Sequence, residues 1–167
     1  VIASDSTMDG CNLYYPSSQF HAIFLTMHAL NHFLYEGIRL RHLCDWVCFV
    51  NAERANVDWA EFNRRCEHVG VLRFVAAMNA VCVRYLGLDL SRVELACDDR
   101  YASRMLIDTL DGGRRISGMS NLWQQRMAKV RNMVDSRWKF RDLYDRNFFS
   151  SIMRLGIGVL TDPDPKI

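Results

Sequence analysis

His28, His32 and Glu36 stand at i, i+4 and i+8, with His21 on nearly the same stripe. That spacing sets metal-ligating or base-forming groups along one helix face. Two histidines four apart can hold zinc, with a glutamate as ligand or base. The zinc-protease motif, however, puts Glu directly after the first His, and here Ala29 follows His28. A single helix also offers its ligands in a row rather than around a tetrahedron. These residues read as satisfied core or interface histidines, and no metal site is expected. A few residues on, Arg39, His42 and Trp46 form an i, i+3, i+7 row, and Arg41 and Asp45 an i, i+4 pair. Two readings stay open there. One is an ordinary helix pair worth ~0.3–0.5 kcal/mol beside an exposed Trp. The other is a cationic ledge at a helix N-terminus, where backbone N–H groups and guanidinium groups hold a phosphate.

Other chemistries lack their residues. There is no G-x-S-x-G, no phosphate-binding Gly-Lys loop and no dinucleotide fingerprint; "LGIGVL" at Leu155 to Leu160 lacks the rest of any such motif. The close carboxylate pairs, in "CDDR" (Cys97 to Arg100) and "DPD" (Asp162 to Asp164), are not on a strand that would aim them at one Mg²⁺. Cys44 and Cys48 fall on an apolar helix face with no second pair to complete a thiolate site, and are expected to pack as small hydrophobes.

The elements that position these residues are helical. No proline lies between Ser17 and Asp162, and Gly37, Gly70 and Gly87 each follow an apolar periodic stretch. Helices are expected over about 17–36, 40–51, 58–70, 71–86, 99–110, 121–137 and 145–155. The first should be central, since Phe20, Ile23, Phe24, Met27, Leu30 and Leu34 cover more than one face. The second carries Leu40, Leu43, Cys44, Val47 and Cys48 as its core stripe. Asp58 and Glu61 form a capping box for the third. Only "NLYYP" has the composition of a strand. The expectation is an all-α fold, an irregular bundle of six to seven helices with a short N-terminal strand. It divides into an extended segment (1–16), a helical domain (17–160) and a disordered tail (161–167).

The 167 residues suit one domain. No apolar run reaches the ~18 residues of a membrane span, and no signal peptide is visible. The six cysteines fit the reduced thiols of a cytoplasm. The first residue is not Met, which points to a fragment or processed piece. The net charge of +2 is unevenly spread: Arg114 to Arg146 holds nine Arg or Lys against three Asp. That stretch is either a solvated helix face or a nucleic-acid surface, through Arg126, Lys129, Arg131, Arg137, Lys139 and Arg141, with Trp123 and Trp138 to stack.

The stretch "HAIFLTMHALNHFLYEGIRLRHLCDWVCFV" resembles the uncharacterised nucleotidyltransferase family found largely in Bacteroidetes and related bacteria. The matching positions are His28, His32, Phe33, Glu36, Gly37, Ile38, Leu40, Arg41, Asp45 and Trp46. The likeness runs more loosely through "VDWAEF", "RYLGLDL" and "RNMVDSRWKFRDLY". Two positions depart from the pattern: its second Gly is Arg39 here, and its Gln is His42. The resemblance implies a Mg²⁺- and NTP-dependent enzyme whose Gly-Ser loop and catalytic carboxylates are not found in these residues. The chain would then be its C-terminal helical region, inactive alone and partnered by an N-terminal catalytic domain. In that setting Arg41 contacts the triphosphate, Asp45 fixes Arg41, Trp46 is a flanking wall and Glu36 caps or pairs locally, with Arg39 and His42 beside them. A non-enzymatic helical interaction or regulatory module is the alternative.

Overall fold

With no proline to interrupt it and glycines placed at its turns, the chain folds as an all-α irregular bundle. The computed structural model describes residues 4–8, 11–35, 37–111 and 137–144. Strands Ser4–Met8 (β1) and Cys11–Tyr15 (β2) pair antiparallel ahead of the bundle, with Ser4 opposite Tyr15 and Met8 opposite Cys11. The helices are Ser18–Tyr35 (α1), Leu40–Glu53 (α2), Trp59–His68 (α3), Leu72–Leu86 (α4) and Ala102–Asp111 (α5). A 3-10 turn at Asp99–Tyr101 leads into α5, and a π turn spans Lys139–Leu143. The helices expected over 121–137 and 145–155, the tail and Glu36 lie outside the described residues, apart from Arg137 at the first one's end. Among the described residues no helix is long and apolar enough to cross a membrane.

The local chemistry explains the boundaries. Ser17 Oγ accepts the Phe20 N–H at 3.3 Å and opens α1. Asp58 Oδ1 accepts the Glu61 N–H at 2.9 Å and opens α3. The expected capping box is only half formed. The Asp58 N–H donates to Gln19 Oε1 at 2.9 Å, and the Glu61 carboxylate pairs with Arg64 and Arg65 instead. At the end of α4, Gly87 takes φ +70°, the left-handed cap that a side chain resists, and the Leu88 N–H returns to the Cys82 carbonyl.

Helix α4 is the axis of the core: Phe74, Val75, Ala77, Met78, Val81 and Cys82 are all buried. Its one buried polar residue, Asn79, has both its amide oxygen and its amide nitrogen hydrogen-bonded. Its Oδ1 accepts the Trp46 indole N–H at 2.8 Å and its Nδ2 donates to the Ala96 carbonyl at 2.8 Å. Arg73 and Arg84 both stay on the outer stripe.

Two expectations are corrected here. The buried stripe of α2 is His42, Leu43, Trp46, Val47, Phe49 and Val50, while Leu40, Cys44 and Cys48 are exposed. The helix is turned toward its largest side chain. Burying an indole removes ~150–250 Å² from water, roughly 4–6 kcal/mol at ~25 cal/mol per Å², which outweighs two thiols and a leucine's partial cover. Trp46 therefore packs among Phe49, Trp59 and Phe62 rather than standing on the surface. Helix α1 is not central either: Phe20, Phe24 and Met27 are 42–54% exposed on its outer face.

Candidate functional site

The α1–α2 junction is built by one turn. The Gly37 N–H donates to the His32 carbonyl at 2.7 Å, and Gly37 takes φ +92°, a conformation open to glycine and resisted by residues with a Cβ. Ile38 drops fully into the core and pins the turn. Arg39 is then the extended N-cap of α2, with φ −104° and ψ 153°. Cap and helix bond reciprocally: the His42 N–H donates to the Arg39 carbonyl at 3.0 Å, and the Arg39 N–H donates to His42 Nδ1 at 3.2 Å. An imidazole three residues into a helix thus does the work that Glu or Gln does in a capping box.

The turn folds His42 back onto α1. Its ring stacks on that of His32 (centroids 4.5 Å apart, 20° between planes) and meets His28 edge-on at 5.4 Å. His28 and His32 meet edge-on at 4.6 Å, and Phe24 stacks on His28 at 6.0 Å. One nitrogen from each of the three imidazoles lies within 4.8 Å of the others. His28 is exposed, His32 half-buried, and His42 only 5% exposed. Burial, then the neighbouring His32, Arg41 and His28, push the His42 pKa down to about 4, against a smaller opposing pull from Asp45. The ring is therefore neutral at pH 7. Since Nδ1 accepts the Arg39 N–H, its proton sits on Nε2, which is buried without a hydrogen-bond partner.

Around this cluster the sequence-derived site residues separate. Arg39 and Arg41 are exposed at the start of α2 and form no ion pair among the described residues. Asp45 is exposed and does not pair with Arg41, so it cannot fix that side chain. Trp46 is 1% exposed with its N–H on Asn79, and is no flanking wall. Glu36 lies outside the described residues. Sequence reasoning placed His28 and His32 on one face but left out the third imidazole, because His42 joins them only through the Gly37 turn.

The basic segment is covered only at 137–144. Lys139, one of its proposed nucleic-acid contacts, is fully buried. Its Nζ donates to Asp108 Oδ2 and to the Phe33 carbonyl, both at 2.7 Å, and lies 4.4 Å from the Phe33 ring centroid. Arg141 pairs with Asp142 at 2.7 Å, and the Arg104 guanidinium lies over Trp138 at 4.2 Å. Lys139 is thus taken up by the core, whereas Arg141 stays largely exposed beside its chain neighbour. The described thiols are free; burial pushes Cys66 and Cys82 up to about 12, which leaves them protonated and inert. A cavity of about 690 Å³ opens on the α3 side of α1, lined by Ile23, Met27, Cys66, Val71 and Tyr144 among others. It is mostly apolar, and its Thr26 hydroxyl is spent on the Ala22 carbonyl. It contains none of the residues of the junction.

At the junction, then, exposed guanidinium groups suit phosphate and imidazoles suit a transition cation. Among the described residues the one cluster of three candidate ligands is imidazole, without a carboxylate, a donor set that does not fit Mg²⁺. The profile of a family described as "uncharacterised nucleotidyltransferase" matches residues 2–87, just over half of the chain and all of this junction. No curated protein and no solved structure gives a match.

Proposed function

We propose, from the premise that this chain belongs to the uncharacterised nucleotidyltransferase family, that its α1–α2 junction binds the triphosphate of a nucleotide substrate. The catalytic carboxylates would come from outside these residues. One observation carries the reading: Arg39 and Arg41 stand exposed and without ion pairs among the described residues, at the N-terminus of α2 and within the matched segment. A helix N-terminus adds its partial positive charge to two guanidinium groups, each able to make bidentate bonds to phosphate oxygens. In nucleotidyl transfer the charge to be stabilised grows on the departing pyrophosphate, and fixed cations there lower the barrier.

The test is a calorimetric titration with each Mg-NTP, beside Arg41→Ala and the Arg39→Ala/Arg41→Ala pair. Both side chains are exposed, so the variants keep the fold. Saturable binding that weakens about tenfold or more in the pair supports the reading. Binding untouched by either variant removes the arginines from it, and no binding of any nucleotide removes an autonomous subsite. A second reading rests on the outer face of α1, where Phe20, Phe24 and Met27 are exposed in line. That face fits a protein-interaction module, which predicts no nucleotide affinity at all.

A further inference from the structure

We propose that His28, His32 and His42 form a binding site for a divalent transition cation of the zinc class, one that does not require a nucleotide to be bound. The objection to a metal on α1 alone was geometric, since two histidines four apart make a row. The Gly37 turn answers it by bringing a third imidazole from α2 across the first two. The three ligand nitrogens lie within 4.8 Å of one another. A tetrahedral Zn²⁺ with bonds of about 2.0–2.1 Å needs them about 3.3 Å apart. The rings must close by at most ~1.5 Å. Most of that movement falls on His28, which is exposed, while His42 is held in the fold.

The donor set selects the metal. Three imidazole nitrogens, with no carboxylate in the cluster among the described residues, suit Zn²⁺ and its imidazole-seeking neighbours and disfavour Mg²⁺ and Ca²⁺, which take oxygen. Exposed His28 leaves a fourth position on the solvent side for water or a ligand. A second observation comes from His42 itself. Its Nε2 is buried and lacks a hydrogen-bond partner, an arrangement that burial makes costly and a metal bond would relieve. The proton balance is definite. In the metal-free chain Nε2 carries the proton, because Nδ1 accepts the Arg39 N–H. Coordination uses the Nε2 lone pair, the proton moves to Nδ1, and the Arg39 N–H gives up its acceptor and turns to water. Cation binding therefore opens the N-cap of α2.

The experiment titrates chelator-treated full chain with Zn²⁺ by calorimetry, in a Cys44→Ser/Cys48→Ser background. Those two thiols are exposed four apart and would otherwise compete for zinc. The expected result is about one equivalent bound per chain, with affinity falling about tenfold or more in His28→Ala and in His42→Gln. His28→Ala alters an exposed side chain, and His42→Gln keeps an acceptor for the Arg39 N–H, so both retain the fold. Co²⁺ in the same background should give ligand-field bands without thiolate charge transfer. Nitrogen shifts of His42 should move from the Nε2–H to the Nδ1–H tautomer as Zn²⁺ is added. The proposal is overturned by no zinc binding, by binding that vanishes with Cys44 and Cys48, or by binding that His28→Ala and His42→Gln leave unchanged.

Discussion

His42 links the junction's electrostatics to stability, and His42→Gln measures the link. The native ring takes up a second proton only below about pH 4, against an ordinary 6.5 for the unfolded chain. Between those values the unfolded state binds a proton that the native state does not. The stabilisation is therefore complete above about pH 6.5 and is lost as the pH falls through the folded value. The full window of 2.5 units, at about 1.36 kcal/mol each, bounds the loss near 3 kcal/mol, with about 2 kcal/mol gone by pH 5. The groups that face the ring are His28 and His32 from α1 and Arg41 and Asp45 from α2. Exposed His28 lets water near the ring edge, so about 1–2 kcal/mol is the working expectation at pH 5.

The assay is urea unfolding followed by far-ultraviolet circular dichroism, near pH 7.5 and near pH 5, with a chelator present to keep the imidazoles metal-free. Gln at this position accepts the Arg39 N–H and does not titrate, so near pH 7.5 the variant should lie within ~1 kcal/mol of the parent. Between the two pH values the parent should lose about 1–2 kcal/mol more than the variant. Subtraction removes the carboxylates common to both, including Glu53, Asp89 and Asp142, which their own hydrogen bonds hold low. Equal losses in parent and variant would refute a depressed His42 and the neutral, Nε2-protonated ring built on it.

Three further outcomes follow from the packing. Asn79→Ala strands the buried Trp46 N–H and should cost about 2–4 kcal/mol, and Trp46→Phe about 1–2 kcal/mol. The double variant should fall short of their sum by ~1 kcal/mol, because both singles break the same 2.8 Å bond, and strict additivity in urea unfolding would contradict that coupling. Asp108→Ala leaves a fully buried ammonium short of its carboxylate and should destabilise by about 3 kcal/mol or more. Lys139→Met removes the charge itself and should cost clearly less; the reverse order would mean the ammonium is not buried as described. Gly87→Ala should cost about 1–2 kcal/mol from backbone conformation alone, since a Cβ there meets nothing within 4 Å, and thermal melting of the Ala and Asn variants should show Asn recovering part of it.

What could be read beforehand was what depends on neighbours in the chain. The all-α class, the glycine stops and the Asp58 cap are local, and each was legible. The β1–β2 hairpin was not fully foreseen, although Asp9-Gly10 is the dipeptide that favours a two-residue hairpin connection. The facing of α2 was misread because periodicity counts apolar positions equally. It could not show that Asn79, on another helix, would satisfy the Trp46 N–H and let the whole indole go inside. Lys139 was misread for the same reason: its carboxylate, Asp108, is 31 residues away.

The histidines show the limit most clearly, because their meaning rests on one backbone angle. With Gly37 at φ +92°, His42 returns to α1; with the turn aimed elsewhere the same residues are a row on one helix and a lone ring on another. One imidazole then has two competing uses. Its Nδ1 must accept if it caps Arg39, and must carry the proton if Nε2 binds a cation. Under the two proposals made above, the Arg39 N–H released by the cation would join the Arg39 and Arg41 guanidinium groups at the mouth of α2, an added donor for phosphate where the helix already presents positive charge. Zinc would then strengthen nucleotide binding in the parent chain and leave it unchanged in His42→Gln, whose side chain keeps the cap closed. Titrating Mg-NTP with and without about one equivalent of Zn²⁺ in both chains measures this coupling directly. Equal nucleotide affinities in all four conditions would show the two sites to be neighbours without being linked.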